Sequence, residues 1–350
     1  MHYYITEENL TTFVGRLRNK ALVIGPVEEW GQKHLEEIKA DKPQTIDLAG
    51  YRTIETFKAA FFKVSEKVAA YFGGVNDAKT DQVILIGARG CDLEGIEVLD
   101  RVYLEGEFSD PGYARERKNK IIISADCTSC GRTCFCTMVG GKPFPTKLFD
   151  LNLSKIKGGD LVETGTEKGE ELISSEADLF VPADEEKVRE RNELREKVEA
   201  ELETVNRDFK CRCTIDWAEA HKINLENTKA WRTLTKDCVE CSSCNFTCPT
   251  CSCFLLLDQP EADNSGRYKI WDACLKDGYA RVAGGANSRP LLSERLQNRY
   301  HCKFDYSRDR LGRYTCVGCG RCIDGCAGNI DMRKVYAELV RQVPLTAKLE

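Results

Sequence analysis

Apolar and polar positions change rhythm along the chain, and the changes mark out its regions. Ala21-Leu-Val-Ile-Gly25 and Val83-Ile-Leu-Ile-Gly87 are short, β-branched apolar runs that stop at glycine. Such runs predict buried strands. Ile121-Ile-Ile-Ser124 predicts a third. Between the first two, Ile54, Phe57, Phe61, Phe62, Val64 and Val68 recur at mixed three- and four-residue spacings, which predicts an amphipathic helix from Thr53 to Tyr71. Helical and strand-like stretches in alternation predict an α/β domain with a mainly buried sheet, over residues 1–181. Within it, residues 154–180 carry Gly158-Gly159, Gly165 and Gly169 among charges, a pattern of surface turns and hairpins.

The rhythm then becomes purely charged. From Pro182 to Arg207, acids in the first turn and opposite charges four residues apart predict a solvated helix. Residues 182–229 are expected to form a charged helical connector. From 230 to 350 the chain is cysteine-dense and helical between its motifs, which predicts a helical dicluster ferredoxin-like domain.

Composition narrows the class. The 350 residues carry 51 basic and 56 acidic side chains, and this mildly acidic balance is not a nucleic-acid footprint. The apolar run Phe254-Leu255-Leu256-Leu257 ends at Asp258, far short of the ~20 residues a spanning helix needs. The opening MHYYITEENL lacks a basic segment followed by an apolar one, so no signal peptide is expected. The 19 cysteines are the anomaly. An odd count at Cys-x-x-Cys spacings suits thiolates ligating metal in a reducing cytoplasm better than a disulfide framework. Only four histidines are present, which limits mixed Cys/His zinc sites.

Two motifs near the C-terminus match. One is Cys238-x2-Cys241-x2-Cys244-x3-Cys248-Pro249, and the other is Cys316-x2-Cys319-x2-Cys322-x3-Cys326. Three cysteines at two-residue gaps let a loop present three thiolates to a cubane, and the fourth cysteine reaches the other cluster in two-cluster proteins. One [4Fe–4S] cluster is therefore expected on Cys238, Cys241, Cys244 and Cys326, and another on Cys316, Cys319, Cys322 and Cys248. Zinc would use two Cys-x2-Cys pairs per site and leave the remaining cysteines unexplained. Ala327 stands where proline usually follows the fourth cysteine. The long interval between the motifs must pack as its own substructure, so a helical two-cluster arrangement is expected rather than the small ferredoxin sheet. Gly318, Gly320 and Gly325 permit tight turns around a cluster.

A further group follows the predicted strands. Cys127-Thr-Ser-Cys130-Gly-Arg-Thr-Cys134-Phe-Cys136 comes after the third, and Cys91 after the second. If those strands are neighbours, both groups lie on one rim, where ligands of open α/β sheets bind. By spacing alone these thiols could hold a third cluster or a zinc ion, remain unligated, or include a Cys127–Cys130 redox disulfide. Gly87-x-x-Gly90 is too short for a dinucleotide fingerprint, and no P-loop, serine elbow or His-Glu-x-x-His is present. No self-contained catalytic site is evident.

With these residues assembled, the chain resembles the iron–sulfur β subunit of cytoplasmic hydrogenase/sulfur reductase (sulfhydrogenase), a family related to one of the subunits of anaerobic sulfite reductase. The segments that carry the resemblance are GARGCDLEGIEVLDRVYL (87–104), DCTSCGRTCFCTMVGGKP (126–143), CVECSSCNFTCPTCSCF (238–254), WDAC (271–274) and CVGCGRCIDGC (316–326). The resemblance implies a polypeptide without an active site of its own. Such a protein passes single electrons between a flavin (FAD or FMN), NAD(P)H-linked diaphorase-type partner and a catalytic partner such as a hydrogenase or sulfite reductase. It also implies a third [4Fe–4S] cluster, because Cys91, Cys127, Cys134 and Cys136 match the family's N-terminal cysteines. Cys130, Cys211, Cys213 and Cys302 do not match.

Three clusters would use 12 of the 19 cysteines. Cys251, Cys253 and Cys274 are expected to pack beside the clusters, with a further metal site built from them and Cys302 or His301 as the alternative. Cys211-Arg-Cys213 reads as an incidental or interfacial thiol pair. The expected function is electron relay in a cytoplasmic, anaerobic oxidoreductase complex. The competing readings are a stand-alone sulfur-compound or disulfide reductase that uses spare cysteines, and a zinc-stabilised scaffold.

Overall fold

A computed structural model describes residues 2–39, 46–71, 82–209, 228–260 and 265–341. Cys211 and Cys213 lie outside the described residues. The chain divides into two compact units, residues 1–62 with 77–204, and residues 63–76 with 205–350. No helix among the described residues is long and apolar enough to cross a membrane.

The first unit is built on a mixed eight-stranded sheet. Its strands are β1 (His2–Thr6), β2 (Leu22–Glu29), β3 (Gln32–Glu37), β5 (Val83–Ala88), β6 (Lys120–Ala125), β7 (Leu151–Ile156), β8 (Gly159–Thr164) and β9 (Val181–Pro182). Their order is β3-β2-β5-β6-β7-β8-β1-β9. The centre, β2-β5-β6-β7, is parallel, and antiparallel strands flank it. Parallel strands need helices on their faces, which is why β5 and β6 read as unbroken apolar runs. Helix α1 (Glu7–Arg18) buries Phe13 and Leu17 in a core with Val23, Ile84, Ile86, Ile121 and Ile123. Helix α2 (Gly90–Tyr103) follows β5 directly, buries Leu93, Ile96 and Leu99, and is followed by α3 (Pro111–Lys118) before β6.

Several segments depart from the pattern in the sequence. The stretch expected as one helix from Thr53 to Tyr71 is a 3-10 turn at Phe57–Ala60 followed by strand β4 (Ser65–Ala70). Phe57, Phe61 and Phe62 are buried, whereas Val64 and Val68 are exposed, so the apolar residues do not share one face. Strand pairing outweighs the local helical spacing. Residues 154–180 do contain a hairpin, β7–β8, but its strands are buried in the sheet rather than superficial, and α4 (Glu167–Ser175) follows it. Helix α5 (Glu185–Val205) keeps Arg189 and Glu193 in solvent but buries Val198 and Leu202. Arg195 anchors it, pairing with Asp126 at 2.7 Å and lying 4.2 Å from the Phe144 ring.

The second unit combines helices with a three-stranded antiparallel sheet, β10 (Phe254–Gln259), β11 (Gly266–Trp271) and β4, in the order β10-β11-β4. The hairpin lies between the two cysteine motifs, where the sequence pattern points to helix. The helix Leu292–Phe304 forms the unit's spine. Its Tyr300 packs edge-on against the buried Trp231 at 5.6 Å, and its Leu296 and Phe304 are also buried.

Candidate iron–sulfur sites

The two C-terminal motifs adopt the same backbone. Glu240 and Ser242 have positive φ (57° and 62°), and so do the equivalent Gly318 and Gly320 (63° and 74°). In each copy the amide two residues after the first cysteine turns back to that thiol, from Glu240 to Cys238 and from Gly318 to Cys316. A short helix then begins, Ser243–Phe246 in one copy and Arg321–Asp324 in the other. The second copy satisfies its left-handed positions with glycine, at no steric cost. The first uses Glu240, whose carboxylate is held by Arg295 at 2.8 Å.

The fourth cysteine of each motif is brought to the other motif. Burial raises the Cys238 thiol pKa, and Cys326 and Cys241 are the thiols that add to it. Burial likewise raises Cys244, with Cys326, Cys238 and, more weakly, Cys248 as its neighbouring thiols. Cys316 is pushed up to about 12 by burial, and its neighbouring thiols are Cys248 and Cys319. Cys322, also raised by burial, has Cys319, Cys316 and Cys248 around it. A cavity lies inside the first set, walled by Cys238, Cys241, Cys244 and Cys326, with Cys322 of the other set on the same wall. Its remaining lining is largely apolar, including Leu275, Leu296, Ile330 and Met332.

Two buried cations face these thiols. Arg299 donates through Nη2 to the Cys244 carbonyl at 2.8 Å and through Nη1 to Cys251 Sγ at 3.3 Å. Lys303 donates to Thr250 Oγ1 at 2.6 Å, and that hydroxyl lies 3.3 Å from Cys248 Sγ. Both side chains are 2% exposed, and among the described residues no carboxylate pairs with either. Burial opposes the charge on Arg299, but Cys244, Cys251, Cys248 and Cys322 outweigh it and hold its pKa above the ordinary value. Unpaired cations in a protein interior are costly. Thiolate-ligated cubanes carry net negative charge, so the donor set fits two [4Fe–4S] clusters. The Ile330 amide, which donates to Cys326 Sγ at 3.3 Å, fits the same reading.

The N-terminal group lies at the rim expected of it. β5 and β6 pair in parallel, and Cys91 and Cys127 follow their C-terminal ends. Cys127 is pushed up to about 12 by burial, with Cys134 as a neighbouring thiol, and Cys136 is raised by burial and by Cys127 and Cys134. Cys134 and Cys136 pack with Leu202, and Cys130 lies against them. Cys91 is the second residue of α2. Gly90, just before it, is packed so closely that a Cβ would lie 2.7 Å from the Phe144 carbonyl oxygen. The Cys127 amide bonds to Pro143 in the same loop at 2.9 Å. The buried Arg89 ties the rim together, donating to the carbonyls of Leu48 and Asp126.

Sequence reasoning missed Arg299, Lys303 and Asn245. Asn245 is 1% exposed and donates to Cys274 Sγ at 3.2 Å and towards Cys251 Sγ at 3.8 Å. His301, the alternative metal ligand beside these thiols, instead faces Asp305 at 3.1 Å and stacks on Tyr306, and Cys302 is exposed.

The fold and these thiol sets define an iron–sulfur protein with a two-cluster domain joined to an α/β unit. Comparison with known proteins agrees: residues 237–330 match the 4Fe-4S dicluster domain, which implies two [4Fe–4S] clusters. The chain is 32% identical over 342 residues to sulfhydrogenase 2 subunit beta of Pyrococcus furiosus, a match that covers 95% of this chain and 96% of the relative. The chain belongs to the sulfhydrogenase beta-subunit family.

Proposed function

We propose that this chain is the electron-relay subunit of a cytoplasmic oxidoreductase complex of the sulfhydrogenase type. It would pass single electrons between a flavin- and NAD(P)H-linked partner, which carries the FAD or FMN, and a catalytic partner such as a hydrogenase or sulfite reductase. One cluster is held by Cys238, Cys241, Cys244 and Cys326, and the second by Cys316, Cys319, Cys322 and Cys248. The observation that carries this reading is the exchange of the fourth cysteines between two backbone copies of one motif. A third cluster is held by Cys91, Cys127, Cys134 and Cys136, supported by the convergence of the last three on one rim.

A bound [4Fe–4S] cluster supplies reversible one-electron chemistry. The protein supplies the rest. Glu240 and Gly318 aim backbone amides at the first thiol of each motif, Arg299 and Lys303 set the local charge, and Leu275, Leu296 and Met332 limit access of water. Each of these tunes a reduction potential. Counting iron and acid-labile sulfide after anaerobic purification tests the proposal. About 12 of each per chain is expected, about eight would remove the third cluster, and none would overturn the relay itself.

A further inference from the structure

Three cysteines of the second unit are not used by either cluster, and the structure gathers them beside the first motif. Cys251, Cys253 and Cys274 come from the loop before β10 and the turn after β11. Asn245, adjacent in sequence to Cys244, holds Cys274 Sγ at 3.2 Å and points its other contact to Cys251. The β10–β11 ladder brings Cys253 and Cys274 together: Phe254 pairs with Trp271, and the Asp272 amide donates to the Cys253 carbonyl at 3.0 Å, two residues before Cys274. The two residues differ in exposure. Cys274 is buried, at 9% exposed, whereas Cys253 is only partly buried and is followed by the exposed residues Phe254 and Leu255.

We propose that Cys253 and Cys274 form a redox-active dithiol/disulfide pair that acts on small-molecule disulfides, with Cys253 as the attacking sulfur and Cys274 as the resolving sulfur. The more exposed residue meets the substrate and the more buried one completes the exchange, a division of labour suited to thiol–disulfide exchange. Hydrogen bonding from Cys274, assisted by Tyr279 and Lys303, holds the Cys253 thiol down at about 6 against the effect of burial, whereas Cys274 is raised by its bond to Cys253. Cys253 is thus the thiolate of the pair at neutral pH.

The exchange balances as follows. The Cys253 thiolate attacks one sulfur of RS–SR, the S–S bond breaks, and RS− leaves a mixed disulfide on Cys253. Cys274 then attacks the Cys253 sulfur and expels the second RS group, which takes the Cys274 proton and departs as RSH. The substrate gains two electrons and the pair becomes a disulfide. Two electrons and one proton restore the dithiol. The one-electron carriers of the adjoining dicluster domain are the reductant class this requires, so the return half rests on the relay reading above, while the forward half does not.

The test uses the full chain, purified anaerobically with its iron counted. It is treated with hydroxyethyl disulfide, its remaining thiols are alkylated, and its peptides are mapped. The expected result is a Cys253–Cys274 linkage, two fewer free thiols, and unchanged iron. Cys274→Ser should stop at a mixed disulfide on Cys253, and Cys253→Ser should leave Cys274 unmodified. Separate alkylation of both cysteines after treatment would overturn the proposal. So would loss of about four irons in either variant, which would make these residues cluster ligands instead. A wild-type chain devoid of iron would refute the relay reading, and the peptide map would still decide the exchange.

Discussion

Arg299 donates to the backbone carbonyl of Cys244 at 2.8 Å from a side chain that is 2% exposed. Its charge is felt by Cys244 of one thiol set and by Cys248 and Cys322 of the other. A buried cation shared by two cluster sites favours the reduced, more negative state of each. Replacing Arg299 with Gln should therefore lower the midpoint potentials by at least about tenfold in the reduction equilibrium, which is 59 mV for one electron. Arg299→Lys should retain most of the potential. An EPR-monitored redox titration reads the shift directly, and unchanged potentials in the Gln variant would remove Arg299 from this role.

The crossed cysteines give a prediction about pairs. Cys326→Ser should cost about four irons, and adding Cys241→Ser should cost no more, because in the proposed ligation both act on one cluster. Adding Cys319→Ser to Cys326→Ser should remove about eight, because the two act on different clusters. If each motif instead ligated its own fourth cysteine, combining Cys326→Ser with Cys319→Ser would cost no more than either alone.

Some of this is legible in the chain and some is not, for definite physical reasons. The runs at Val83 and Ile121 announce buried strands because a parallel strand is apolar on both faces, and their adjacency places Cys91 and Cys127 on one rim. The Cys-x2-Cys-x2-Cys spacing announces the clusters because ligand geometry is local. What escapes the sequence depends on distant partners. Arg295, Arg299 and Lys303 recur every four residues like a solvated stripe, yet all three are buried, since the anionic surroundings that accept them come from other segments. The stripe's position one residue from the apolar Leu296, Tyr300 and Phe304 is the signal available. Likewise β4 looks helical because its pairing partner, β11, lies about 200 residues away.

Gly90 makes a steric prediction. A Cβ at this position would sit 2.7 Å from the Phe144 oxygen and 2.8 Å from that of Lys142. Backbone atoms cannot yield as a flexible side chain can, so Gly90→Ala should push the loop away and cost about 1–3 kcal/mol. The same loop carries the Pro143 carbonyl that fixes the Cys127 amide. Urea denaturation should show the lost stability, and if the N-terminal thiols hold the proposed third cluster, its iron should be lost before the C-terminal iron. Equal retention of all iron would mean that this loop does not shape the third site.

The pH dependence of stability should reverse sign when iron is bound. In the iron-free chain, burial pushes Cys127 and Cys316 up to about 12 from an ordinary value near 9. Between those values the folded chain keeps protons that the unfolded chain releases. The stability these thiols contribute is therefore fully present below about pH 9 and is lost as pH rises towards 12, by up to about 1.4 kcal/mol per pH unit for each. Ligation requires thiolates, so in the iron-loaded chain it is the unfolded state that binds more protons. Its stability should instead fall as pH drops below 9. Urea midpoints measured anaerobically from pH 6 to 10.5, with and without iron, give the two slopes. Cys127→Ala in the iron-free chain should reduce the alkaline loss by the share of Cys127, leaving that of Cys316. A wild-type chain with no alkaline loss would show that these thiols are not held protonated by the fold.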